Sequence, residues 1–149
     1  MAAGDIAGSL GKPNRLWCAG LGAYGPAVQK LGPQERELAD GYLLTAPLYT
    51  WYRNNYAPPG VARDSWKLSP LFADDLAHLP PAVVLYADFD PLRDEAAAYV
   101  MKLTLAGVPV EPLYFADMIH GFLTMGGAVP AAQAALTRIA DALAALDSH

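Results

Sequence analysis

The stretch from Pro81 to His120 constrains this chain more than any other. It reads as strand, loop, helix, strand and loop. An apolar run, Pro81-Ala-Val-Val-Leu-Tyr-Ala87, leads into the acidic elbow Asp88-Phe-Asp90-Pro91-Leu-Arg-Asp94-Glu95. A helical segment follows and closes at Gly107. A second apolar run, Val108 to Phe115, ends in Asp117-Met-Ile-His120-Gly121. Parallel strands need a crossover of this kind, which puts both following loops at the carboxyl end of the sheet. Ligands and catalytic groups of open α/β sheets gather at that end. Asp90 and His120 lie far apart in sequence, and this geometry predicts that they stand side by side. A histidine acting as a base needs an acceptor on its far nitrogen, and a neighbouring aspartate provides one.

The remaining elements fit an α/β layering. Thr45 and Pro47 predict a helix start, with the helix running to about Tyr56. Leu48, Trp51, Tyr52 and Tyr56 recur on it at helical spacing, as a packing face or as an aromatic wall over a cleft. Pro58-Pro-Gly60 ends it, and an irregular loop containing Ser69-Pro-Leu71 runs to Pro80. The unbroken apolar run 82–87 predicts a strand covered on both faces. Pro112 places the second strand near an edge, because proline cannot donate to a ladder. Pro130 opens a last helix with an expected apolar stripe of Ala132, Leu136, Ile139, Leu143 and Leu146. Arg15-Leu-Trp-Cys-Ala19 is an expected short strand, which makes about three mainly parallel strands in all.

Composition excludes several functions. With 149 residues the chain fits one domain, and its 54% apolar content has no run long enough to span a membrane. A net charge of −5 with no basic cluster argues against a nucleic-acid partner. Three scattered histidines and one cysteine make no metal site, and no cofactor is expected. Gly20-Leu-Gly-Ala-Tyr-Gly25 matches the bare dinucleotide fingerprint, but without an acidic partner downstream a glycine-rich turn is the better reading. The single Cys18 and the lack of a basic-then-apolar leader point to a cytoplasmic protein.

Five ordered motifs together carry a resemblance: Ser69-Pro-Leu71, Leu79-Pro-Pro81, Asp90-Pro-Leu-Arg-Asp94-Glu95, Ala106-Gly-Val-Pro109 and Met118-Ile-His-Gly-Phe122. They resemble the C-terminal half of hormone-sensitive-lipase-type carboxylesterases, over about Glu37 to Leu146. The resemblance implies an incomplete α/β-hydrolase fold and hydrolysis of short acyl esters by a serine nucleophile. It implies Asp90 as triad acid, in preference to Asp88 and Asp94, and His120 as general base. The acid-then-histidine order agrees with the order of triad residues in that fold. Residues 1–36 form a glycine-rich N-terminal segment and 37–149 the C-terminal hydrolase portion.

Where the nucleophile elbow belongs, the chain departs from the pattern. Gly4-Asp-Ile-Ala-Gly8 looks like the elbow with Ile6 in place of the serine, and isoleucine has no nucleophilic atom. A second register, Ala7-Gly-Ser-Leu-Gly11, makes Ser9 the candidate nucleophile. Tyr42, Leu44, Trp51, Leu71, Ile119 and Phe122 are candidates to line the acyl or alcohol pocket, and each is also a plausible core residue. Two functions follow. One is an esterase with a small ester as its partner molecule. The other is a catalytically incomplete half-hydrolase that binds, assembles or needs a complementing chain. An unpaired sheet edge near Arg15–Ala19 predicts a homo-oligomer or a complementing chain.

Overall fold

A computed structural model describes residues 36–57, 59–62, 66 and 69–147. Its elements are α1 (Ala46–Tyr56), a 3-10 turn (Pro70–Phe72), β1 (Ala82–Phe89), α2 (Arg93–Leu105), β2 (Val110–Ile119), a second 3-10 turn (Phe122–Met125) and α3 (Pro130–Asp147). The expected strand at Arg15–Ala19 lies outside the described residues. Strands β1 and β2 pair in parallel, with Ala82 opposite Val110 and Ala87 opposite Phe115. The connection between them is α2, as the sequence predicts.

Residues on opposite faces of β1 enter two separate cores. Val84 packs with Leu76, Tyr99, Leu103 and Val108 on the α2 side. Ala87 packs with Phe122, Ala132 and Ala135 on the α3 side. Adjacent residues Val83 and Val84 are both buried, which accounts for the unbroken apolar run. Strand β2 carries Pro112 opposite Val84, and the flanking Glu111 and Tyr114 are exposed. Among the described residues β1 is the one strand that pairs with β2, which agrees with an outer position.

Helix α2 has legible ends. Asp94 and Glu95 occupy its first turn and Lys102 its last, each complementing the helix dipole. At the C-terminus the Gly107 N–H bonds the Thr104 carbonyl and the Val108 N–H bonds the Leu103 carbonyl, both at 3.0 Å. Gly107 supplies the left-handed φ of 77° that this Schellman closure requires. Val108 and Leu103 also meet in the same core, the apolar contact that accompanies such a cap. Lys102 Nζ donates to the carbonyls of Leu71 and Ala73, at 2.6 and 2.5 Å, and so ties the first 3-10 turn to α2.

The packing-face alternative for α1 and the expected stripe of α3 are corrected, while Leu48 and Tyr52 of α1 border a cleft. In α1 the Thr45 hydroxyl accepts from the Leu48 N–H at 3.4 Å and caps the helix as expected. Its buried residue is Tyr49, however, while Leu48, Trp51, Tyr52 and Tyr56 are exposed. The helix leans on the body through Tyr49, which joins Leu44 and Leu92 in a small core. In α3, Ala132 and Ala135 are completely buried and Leu136 is 45% exposed. Two alanines one turn apart meet the core around Phe122, so the buried line runs beside Leu136 rather than through it.

Candidate active site

Asp90 is the first residue after β1. Its Oδ1 accepts the Leu92 N–H at 2.8 Å, and its backbone carbonyl accepts the Arg93 N–H at 3.0 Å. Such an Asx turn is a local reason for aspartate before proline. The second carboxylate oxygen is left to point outward, and His120 Nδ1 lies 2.9 Å from it. Asp90's side chain is 14% exposed and that of His120 36%, so the acid sits beneath a more accessible imidazole.

A register shift brings the two residues together. Up to Ala87 the strands advance one residue against one, but Phe89 pairs with Ile119 rather than with Asp117. Strand β2 thus accommodates two additional residues next to Asp88. Regular pairing would leave His120 about two residues, or roughly 7 Å, beyond the level of Asp90. The irregularity removes that offset, as bulges beside functional sites often do. Gly121 then turns the chain with a φ of 74°, and its carbonyl accepts from the Thr124 N–H to start the second 3-10 turn. A side chain on Gly121 would meet only Leu43 Cδ2 at 3.7 Å, so backbone conformation is what calls for glycine here.

His120 lines an open cavity of about 390 Å³ together with Leu43, Leu44, Leu48, Tyr49, Tyr52 and Leu92. This is an apolar chamber with an imidazole on its wall, the combination typical of small-molecule sites. Of the six residues expected to line a pocket, Leu44 does so. Tyr42 instead stacks on Phe89 at 5.2 Å between ring centroids. Trp51 is exposed and meets the edge of Tyr52. Leu71 packs on the α2 core, while Ile119 and Phe122 pack in the α3 core. For these, packing in a core or exposure at the surface takes the side chain away from the cavity. Leu43, Tyr49 and Leu92 were not expected at the cavity. Leu92 sits inside the Asp90-Pro-Leu-Arg93 motif, a signal that could have pointed to it. Ile6 and Ser9 lie outside the described residues.

Beside the pair is a second polar cluster. Asp88 accepts hydrogen bonds from the Tyr114 hydroxyl and from Arg93 Nη1, and Arg93 Nε donates to Asp94 Oδ1 at 3.2 Å. The Tyr114 hydroxyl, and next the Arg93 guanidinium, hold the Asp88 carboxyl below its ordinary pKa. The same bond raises the Tyr114 phenol, since ionising it would sacrifice a donor beside a carboxylate. Because Asp88 binds a proton more weakly folded than unfolded, stability rises with pH between the two values. Its contribution is therefore complete above the unfolded pKa of about 4 and is lost as pH falls through the folded value. Asp88→Asn is expected to destabilise the chain at pH 7 and to show a shallower loss of stability through that acid window. Urea denaturation at a series of pH values checks this; parallel acid limbs would contradict it.

Among the described residues no group of three or more His, Cys, Asp or Glu side chains could hold a metal ion. No described helix is long and apolar enough to cross a membrane.

Comparison with known proteins identifies the fold family. The chain is 33% identical over 118 residues to an ethyl acetate hydrolase of Pseudomonas putida, covering 79% of this chain and 35% of that protein. It is 36% identical over 133 residues to the esterase LipI of Mycobacterium tuberculosis, covering 85% of this chain and 36% of that one. Among solved structures, an ester hydrolase from the metagenome of Lake Arreo, Spain, superposes with a TM-score of 0.78 at 31% identity, over 85% of this chain and 40% of its own. The chain thus spans about a third of the length of these curated relatives. The α/β-hydrolase fold profile matches residues 6–124, so the chain belongs to the α/β-hydrolase fold family.

Proposed function

We propose that this chain carries the acid and base of a serine carboxylesterase of the hormone-sensitive-lipase type, acting on short acyl esters. The observation that carries this reading is the 2.9 Å contact between His120 Nδ1 and Asp90 Oδ2 at the wall of an apolar cavity. With Nδ1 held, Nε2 takes the proton of a serine hydroxyl as that oxygen attacks the ester carbonyl. It returns the proton to the departing alkoxide, and in the second half-reaction it deprotonates the water that releases the acid. Asp90 stays ionised and stabilises the imidazolium formed in each half. A cavity lined by leucines and tyrosines suits a short acyl or alcohol group.

The nucleophile is assigned to the N-terminal segment 1–36, with Ser9 as its candidate, and the acid and base to the portion 37–149. A second reading rests on Ile6 in the elbow-like Gly4–Gly8. In it the chain contributes Asp90 and His120 to a site completed by another copy or another chain. Hydrolysis of a short-chain nitrophenyl ester by the purified chain, followed by fluorophosphonate labelling and peptide mapping, tests both. Turnover that vanishes in His120→Ala with a label on Ser9 supports the self-contained esterase. Absence of turnover and of label in the isolated chain supports the completed-site reading. Turnover that persists in His120→Ala sinks both.

A further inference from the structure

We propose that Asp88, Arg93 and Tyr114 form a latch that positions Asp90 against His120, with Arg93 as its central positioning residue. The inference rests on the acid–base reading above and adds residues to it. The acid loop is short, and Arg93 grips it twice. Its backbone N–H bonds the Asp90 carbonyl at 3.0 Å, while its guanidinium reaches back past Phe89 to Asp88. A second guanidinium nitrogen, Nε, is held at 3.2 Å by Asp94 Oδ1, so the fork is fixed from both sides. Segment 88–93 is thereby closed into a ring with Asp90 inside it.

Tyr114 extends this ring to the other strand. It is on β2, in register with Tyr86, and its hydroxyl bonds Asp88. Asp88 is the residue at which the β1–β2 register jumps, the irregularity that sets His120 level with Asp90. A bulge leaves its additional residues unpaired and disrupts the ladder locally. Here the Tyr114–Asp88 bond joins the strands where the ladder changes step. The strand leading to the base is thus tied to the loop carrying the acid through one carboxylate. An arginine fork can engage two carboxylates in a fixed plane, which a lysine ammonium cannot reproduce. The rival account is a partly exposed ion pair that merely adds a little stability.

A readout at His120 separates the two. Nitrogen-15 NMR of the full chain reports whether the His120 proton resides on Nδ1, as an acceptor at Asp90 requires. The wild type is expected to hold the Nδ1–H tautomer, and Asp90→Asn to lose it. Under the proposal Arg93→Gln and Asp88→Asn give a mixture of tautomers, and Arg93→Lys restores only part of the wild-type signal. Tyr114→Phe keeps the ring and the strand, serves where a charge variant fails to fold, and gives a smaller shift in the same direction. Where ester turnover is measurable, kcat for Arg93→Gln falls about tenfold to a hundredfold with KM little changed. A wild-type His120 signal retained in Arg93→Gln or, failing that variant, in Tyr114→Phe overturns the latch and leaves the acid–base reading standing. Absence of the Nδ1–H tautomer from the wild type overturns both.

Discussion

On the proposed esterase reading, Asp90→Asn lowers ester turnover by about ten-thousand-fold, the scale of loss when a triad carboxylate becomes an amide. The substitution is nearly isosteric. Asparagine Oδ1 can still accept the Leu92 N–H, so the Asx turn and the loop survive. The other terminus of the side chain is now a donor facing His120. Imidazole Nδ1 must become the acceptor, which moves the proton to Nε2 and occupies the nitrogen needed as base. Stabilisation of the imidazolium is lost in the same step. Asp90 does not line the cavity, so KM should change little and the effect should fall on kcat. Steady-state kinetics with a short-chain nitrophenyl ester, on protein whose thermal unfolding matches the wild type, checks this. A variant within tenfold of wild type would remove Asp90 from the mechanism.

How much of this was legible in the sequence depends on the scale of the feature. Element boundaries were readable where they are written in local chemistry. Thr45 and Pro47 open α1, and Gly107 closes α2 in the one conformation that favours glycine. The parallel pair was readable because Val83 and Val84 can only both be buried in a strand covered on two faces. Proximity of Asp90 and His120 followed from topology alone. Their alignment did not, because it depends on the register change between Ala87 and Phe89, and nothing in Ala116-Asp117-Met118 marks two additional residues.

Orientation was the other blind spot. Periodicity identifies an apolar face but not what it faces. On α1 the periodic residues border the cavity and the surface, while Tyr49, off that series, is the anchor. On α3 two alanines are more deeply buried than the neighbouring Leu136, because small side chains let the helix lie close to its support. Pocket residues were misassigned for the same reason. Phe122 adjoins the His-Gly pair in sequence, yet Gly121's left-handed turn sends it into the α3 core instead of the cavity. Asp88 and Arg93 were visible as charges in an acidic elbow. Their partner Tyr114 was hidden in a strand, where only the fold could bring it to them.

Helix α2 offers a comparison in which burial alone differs, and it carries the largest expected change in stability. Leu103→Ala should destabilise the chain by about 2–5 kcal/mol, whereas Leu105→Ala should stay within about 0.5 kcal/mol. Both leucines are in the last turn of α2, and both substitutions change helix propensity by the same small amount. Leu103 is 1% exposed and packs with Leu76, Val84, Tyr99 and Val108, while Leu105 is 82% exposed. Truncating Leu103 leaves a cavity between α2 and β1, at the residue whose carbonyl closes the Schellman cap through Val108. Collapse of the surroundings is limited because Lys102 pins the neighbouring turn through Leu71 and Ala73. Small domains have about 5–15 kcal/mol in total, so the loss is a substantial fraction. Urea denaturation should show the Leu103→Ala midpoint well below wild type with an unchanged slope, and the Leu105→Ala midpoint close to it. Equal midpoints for the two variants would mean that the α2 face of the sheet is not the principal core of this chain.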